Sequence, residues 1–479
     1  MAENLGITIK KADDANAWYT EVINKSQLIE YTDVSGCYIL RPRSQFMWDS
    51  IHAFMDTLLV KRGVKNASFP LLIPEHLLLK EQEHVAGFAP EVAWVTHAGD
   101  TPLAEKLAIR PTSETIMYAA YSKWVRTHRD LPLKLNQWCN VVRWEFKHPQ
   151  PFLRSREFLW QEGHTVFATE AEARAEAHDI LVNVYRATYE ELLAIPVIMG
   201  AKTEREKFAG AVQSLSCEIL LPIGKAIQGC TSHYLGTNFA KAFTIQFQAA
   251  DESLQYAHQN SWGFTTRSIG VAIMMHSDDR GLVLPPRVAE HQIRIVPFLR
   301  KGESAAMIAA ANALAAELHE FRVSVDDRDT YTFGWRINDA ELSGYPLRIE
   351  CGPRELEAGT VVLVPRDTLE KKTVPRAGLS HTVREELIAM HERLYAKAAK
   401  ALHDNRVESQ DLDEIRAAVD AGKIVKTAYH YAIETDDLVR EKTAGKTLCV
   451  PFGEDAPLGL TCPFSWKPAT SWVYVGKSL

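Results

Sequence analysis

The sequence predicts an α+β protein: a long antiparallel hairpin with polar groups on one face, followed by a smaller α/β unit. Three observations carry this. Residues 140–146 and 158–164 alternate with period two across a polar connection from Lys147 to Glu157, the pattern of an antiparallel hairpin. From about residue 286, strand patterns at 292–298, 322–327, 346–351 and 359–365 alternate with helical ones at 304–321 and 382–403. That alternation builds a small α/β domain with a mixed sheet. Beyond about 405 the pattern is less regular. At roughly 150 residues per domain, about three domains are expected, with boundaries at 1–285, 286–390 and 391–479.

Composition narrows the function classes. With 46% hydrophobic and 24% charged residues among 479, the chain is neither disordered nor a small disulfide scaffold. A formal charge of −7 excludes a uniformly basic nucleic-acid coat. A nucleic acid must therefore be drawn by local basic surface. No apolar run approaches the roughly 18 residues that span a bilayer. The start, Met1-Ala2-Glu3-Asn4, has no secretory pattern. A cytoplasmic protein without membrane contact is expected. The seven cysteines form no C-x-x-C, so neither a disulfide framework nor a four-cysteine zinc site is signalled.

The elements follow in order. Residues 42–63 place Phe46, Ile51, Phe54, Met55 and Leu58 at helical spacing. An extended stretch to Pro70 follows. Residues 170–193 read as a second helix, opened by a Thr169/Glu172 capping box. In the hairpin, period two sets Arg143 with Glu145 on one strand face and Trp160, Glu162 and His164 on the other strand's. Such a face is either solvated or a binding surface.

Four constellations have two readings each. Arg110-Pro111-Thr112-Ser113-Glu114 is a helix start, or a hydroxyl and carboxylate that grip a small cation. Lys147, Arg154 and Arg156, with Arg143 at the base, form a solvated loop or a polyphosphate cradle. In Gln228-Gly229-Cys230-Thr231-Ser232-His233, Gly229 permits close backbone approach. Arg267 enters an apolar helix and needs a salt bridge or an anionic ligand. No Walker P-loop, helix-opening G-x-G-x-x-G or H-E-x-x-H occurs.

Longer words settle on a family. LAIRPTSETIMY at 107–118, the whole of 135–165, NSWGFTTR at 260–267 and DDRGLVLPP at 278–286 resemble prolyl-tRNA synthetases of the archaeal and eukaryotic type, which are class II enzymes. The resemblance covers essentially the whole chain. It implies an antiparallel-sheet catalytic domain, an α/β anticodon-binding domain and a small α+β C-terminal domain. It also implies a homodimer joined near the first motif. The implied activity is ATP-dependent formation of prolyl-adenylate, then transfer to tRNA(Pro), with Mg2+ on the triphosphate.

Roles carry over residue by residue. Arg143 and Arg267 are the implied catalytic pair, Arg143 bridging the proline carboxylate and the α-phosphate. Glu145 holds the adenine amino edge, and Arg154 binds phosphate. Gln228, Thr231 and Thr266 contact ATP. Thr112 and Glu114 receive the proline ammonium; Phe88, Trp160, Glu162 and His233 wall its pocket. Glu350, Arg354 and Lys371 are implied anticodon contacts.

The chain departs from the family in three places. Of four usual zinc cysteines only Cys449 and Cys462 match, Ser465 standing where a third belongs. Two thiolates cannot close a tetrahedral site, so no metal is expected. The chain ends in Leu479 instead of tyrosine, which puts docking of the tail in question. His164 and Gln228 stand only 64 residues apart, too close for the editing domain of bacterial-type relatives. Alanine is therefore expected to be mischarged, since lost apolar contact discriminates by only about 1–3 kcal/mol. Two rivals remain: a paralogue charging a non-tRNA carrier, which needs no anticodon domain, and an inactive tRNA-binding protein, which needs no phosphate-binding arginines.

Overall fold

The computed structural model describes residues 6–84, 91–300 and 304–479. Phe88 lies outside them. An eleven-stranded sheet organises the chain. Its larger part runs Ile198–Ala201, Gln213–Leu221, Lys225–Gly236, His258–Thr265, Glu157–Phe167, Leu133–Val142 and the short edge strand Lys65–Asn66. All neighbours here are antiparallel except the last pair.

Period two divides the two faces of this sheet. Gln161, Ser232, Asn260 and Phe264 face a helical layer that begins at Glu170–Ile180. Tyr185 donates to Gln161 at 2.8 Å, Ser232 to the Ala177 carbonyl at 2.7 Å and Asn260 to Glu176 at 2.8 Å. The Thr169/Glu172 capping box opens the layer as expected. After Ile180 it continues in wider turns at Leu181–Tyr185 and Thr188–Leu192. The helix Pro42–Val60, with proline in its first turn, buries Met47, Ile51, Met55 and Leu59 in the same core. The other face carries Trp160, Glu162, His164, Thr231, His233, Ser261, Gly263 and Thr265, and is open to a pocket.

The hairpin differs from the sequence expectation at one end. Pairing stops at Val142↔Glu157, so Arg143 and Glu145 lie in the connection, not on a strand. Polar, proline-rich sequence cannot continue the ladder there.

Strands Val323–Val325, Ile293–Pro297 and Leu347–Cys351 run parallel, and Thr360–Pro365 and Lys372–Pro375 add antiparallel, giving the expected mixed sheet. The helix Leu379–Asp404 leads on. The remainder is more regular than its sequence suggests. Helices Leu412–Asp420 and Ile433–Thr443 cover strands Arg406–Glu408, Ile424–Tyr429, Ser471–Gly476 and Lys446–Pro451. These strands extend the same sheet through Val450↔Ala201 and Pro451↔Gly200. The last residues pair with Ala226. Ala226 donates to the Lys477 carbonyl at 2.7 Å, and the Leu479 amide donates to Ala226 at 2.9 Å. Backbone bonds need no particular side chain, and Leu479 still packs on the main core. Among the described residues no helix is long and apolar enough to cross a membrane.

Candidate active site

The pocket over the polar sheet face has a volume of about 330 Å³. Ten of the sequence-predicted residues line it: Thr112, Glu114, Arg143, Arg154, Trp160, Glu162, Gln228, Thr231, His233 and Arg267. Register explains the convergence. Trp160 pairs with Cys139 and Thr265, Glu162 with Gln137 and Gly263, and His233 with Ser261. Glycine is required at 163, where a Cβ would meet the Trp262 ring at 2.1 Å. At Gly229, which also lines the pocket, a Cβ would meet the Tyr189 ring at 2.8 Å.

The floor is a buried polar network. Glu162 accepts from the Ser113 amide (3.1 Å) and hydroxyl, Gln137 (3.0 Å), the Cys139 thiol (3.4 Å) and His164 (3.1 Å). Burial alone lifts the Glu162 carboxyl, but hydrogen bonds from His164, Ser113 and Gln137 outweigh it and hold the group low. Burial lowers His164, and Glu114 and Glu162 outweigh that and raise it. The two form an ion pair. Burial, then the Glu162 charge, pushes the Cys139 thiol up to about 12, so it stays protonated. At the start of helix Glu114–Trp124 the Thr112 hydroxyl donates to Glu114. The word opens a helix, and its carboxylate faces the pocket.

The upper wall is cationic. Arg143 donates from Nε to the Pro111 carbonyl at 2.9 Å and lies over the Trp160 ring at 5.2 Å. Arg267, first residue of Arg267–His276, donates to the carbonyls of Leu153 and Gln228, each at 3.2 Å. Burial lowers its pKa, with Arg143 and Arg154 adding to the effect. Exposed Arg154 completes the group. Among the described residues none of the three has a carboxylate within ion-pair distance. The salt-bridge reading of Arg267 is therefore replaced by carbonyl anchoring.

His233 accepts or donates at Ser214 (2.8 Å) and stacks on Phe208 at 4.7 Å. Burial first, then His164 and Arg143, push its pKa down to about 3, so the ring is neutral. Two predicted residues lie off the lining: Glu145 is exposed in the turn, and Thr266 is buried, its amide donating to the Leu159 carbonyl at 3.0 Å. Sequence reading missed Ser113, Gln137, Cys139, Glu206 and Phe208. Period two back from Val141 reaches Cys139 and Gln137, but only the pairing register puts them on the face of Trp160 and Glu162.

A metal fit is tested by the donors. Glu114, Glu162 and His164 offer atoms within 4.8 Å of one another. Hydrogen bonds from Thr112, Ser113 and Gln137 already occupy the two carboxylates, and Tyr118 and Glu162 occupy His164. Cys449 and Cys462 sit in separate apolar clusters and do not fit a shared zinc.

The second predicted site lies in the smaller domain. Glu350 and Arg354 line a cavity of about 570 Å³ with Phe298, Arg300 and Phe333. Lys371 is off the lining, and its ammonium donates to Glu350 at 2.7 Å.

Comparison with known proteins gives the class first. A tRNA synthetase class II core domain (G, H, P, S and T) matches residues 96–276, an anticodon binding domain 292–386 and a prolyl-tRNA synthetase C-terminal domain 412–479. The antiparallel floor with its arginine wall is thus a class II synthetase core. The chain belongs to the proline–tRNA ligase family. It is 48% identical to the cytoplasmic proline–tRNA ligase of Arabidopsis thaliana, over 99% of this chain and 91% of that one. It is 44% identical to proline–tRNA ligase 2 of Clostridioides difficile, over 98% and 97%. It is 47% identical to the bifunctional glutamate/proline–tRNA ligase of Cricetulus griseus, over 99% of this chain, and spans about 33% of that longer relative.

Proposed function

We propose that this chain activates L-proline with ATP and transfers the prolyl group to tRNA(Pro). A proline carboxylate oxygen attacks the α-phosphorus, the bond to pyrophosphate breaks, and prolyl-adenylate forms. A terminal ribose hydroxyl of the tRNA then attacks the carbonyl carbon, and AMP leaves. The observation that carries this is three arginines facing one pocket with no carboxylate partner among the described residues. Cations without a counter-charge, two of them held by carbonyls, suit a polyanion whose charge grows in the transition state. Mg2+ arrives on the nucleotide as part of the substrate.

In this reading Arg143 bridges the carboxylate and α-phosphate, while Arg154 and Arg267 hold the outer phosphates. Gln228, Thr231 and Thr266 support ATP, and Glu145 reads the adenine edge. Thr112 and Glu114 take the ammonium; Phe88, Trp160, Glu162 and His233 shape the ring pocket. Glu350, Arg354 and Lys371 contact the anticodon. The catalytic, anticodon-binding and C-terminal domains span 1–285, 286–390 and 391–479. A cytoplasmic homodimer without structural zinc completes the proposal; sedimentation and metal analysis test its two parts.

The decisive experiment has two arms. Proline-dependent exchange of pyrophosphate into ATP tests activation, and charging of tRNA(Pro) tests transfer. Absence of the first ends the proposal; its presence without the second makes the chain an activator for another carrier.

A further inference from the structure

The segment from Lys202 to Phe208 joins two parts of the molecule. One end lines the catalytic pocket, through Glu206 and Phe208. Nearly every residue before Phe208 is tied to the C-terminal region. Lys202 donates to the Leu448 carbonyl at 2.9 Å, and its own carbonyl accepts from Tyr431 at 3.4 Å. Thr203 and Thr447 share a hydrogen bond of 3.0 Å. The Arg205 amide donates to Asp436 at 3.3 Å and its guanidinium to Asp437 at 2.6 Å. Glu206 pairs with Arg440 and, at 3.0 Å, with Lys446.

Glu206 is the informative member. Its side chain is 13% exposed and lines a pocket walled by Arg143, Arg154 and Arg267. Arg440 and Lys446 hold its carboxylate. Burial raises the Glu206 carboxyl, and Lys446, Lys202 and Arg440 outweigh that, so it is charged and held. Two residues on, the Phe208 amide donates to Ser214 at 3.0 Å, and the Phe208 ring stacks on His233, which shares Ser214.

We propose that Arg440 and Lys446 of the C-terminal region are positioning residues for the amino-acid pocket: they retain Glu206 and so fix Phe208 against His233. This rests on the activity proposed above. The C-terminal sheet extension thereby has a task in the first reaction step, before any tRNA is bound.

The test uses the full chain with Arg440→Met and Lys446→Met, singly and together, and the charge-retaining pair Arg440→Lys with Lys446→Arg. Steady-state proline-dependent pyrophosphate exchange and amide hydrogen exchange at 203–208 are both read. The expected result for the double methionine variant is a proline KM raised about tenfold or more. Its kcat should stay within about threefold and its ATP KM within about twofold, with faster amide exchange at 203–208. The charge-retaining pair should restore both readouts. An unchanged proline KM overturns the proposal. So do equal rises in both KM values with a lowered melting temperature, because that pattern is general loosening. If the wild-type chain shows no proline-dependent exchange, the activity reading fails; unaltered amide exchange in the double variant then still overturns the retention of this segment.

Discussion

The catalytic floor and the anticodon-binding domain both bury charge, and they neutralise it differently. In the smaller domain, charges are paired several times over. Arg348 bridges Glu341 and Glu350, each at 3.0 Å, and Glu350 also holds Lys371 at 2.7 Å. Asp326 is shared by Arg294 at 3.0 Å and Arg328 at 2.7 Å. On the catalytic floor Glu162 has one cationic partner, His164, and Arg143 and Arg267 lean on backbone carbonyls. A carbonyl orients a guanidinium without cancelling its charge. The smaller domain presents a preformed, nearly neutral mosaic, and the pocket keeps positive potential in reserve for a ligand.

The largest expected effect tests that reserve. Arg267→Ala should lower kcat for pyrophosphate exchange by about a hundred- to a thousandfold, measured at saturating proline. Arg267→Lys should not restore it, since an ammonium cannot reach both the Leu153 and Gln228 carbonyls and a phosphate together. A near-normal rate in either variant breaks the comparison.

Next comes the single compensation of the floor. Glu162→Ala takes from buried His164 the carboxylate it hydrogen-bonds, leaving it the Glu114 charge alone, and strands the Ser113 and Gln137 donors, which should cost about 3–5 kcal/mol in chemical denaturation. Glu350→Ala is the counterpart in the smaller domain. Arg348 keeps Glu341 and Lys371 returns to water, so the cost should be about 1 kcal/mol or less. The same variant should raise the KM for tRNA(Pro) more than it affects exchange. Equal stability losses in the two variants would erase the distinction.

The smallest effect is a pH dependence. His276, on the helix that carries Arg267, donates to the Leu193 carbonyl at 2.9 Å. Burial is the main cause that lowers its pKa from 6.5 to about 4. Below pH 6.5 the unfolded chain therefore takes up a proton that the folded chain refuses. This contribution is complete above 6.5 and declines as the pH falls towards 4. Melting temperatures of wild type and His276→Asn should converge over that window, and parallel curves would remove the effect.

Much of the site was legible because its residues sit at fixed offsets in contiguous words. Thr112 and Glu114, or Trp160 and Glu162, are two apart, and local geometry alone puts each pair on one side. The turn at Arg143 was misread as strand because alternation persists past the last ladder bond. The C-terminal elements are short, at 6 residues for Ile424–Tyr429 and 6 for Lys446–Pro451, so their periodicity is weak. Nothing in Thr203-Glu204-Arg205-Glu206-Lys207 marks Glu206 off from its charged neighbours.

The amino-acid order by itself determined the helices with caps, the alternating faces, the family words and the inventory of cations. It could do so because those properties depend on neighbours a few bonds away. Only the folded chain decided which cations stay without a counter-charge, that the last strands extend the catalytic sheet, and that Leu479 still docks. Each of these depends on groups hundreds of residues apart, brought together by strand register and by the cost of burying an unmatched charge.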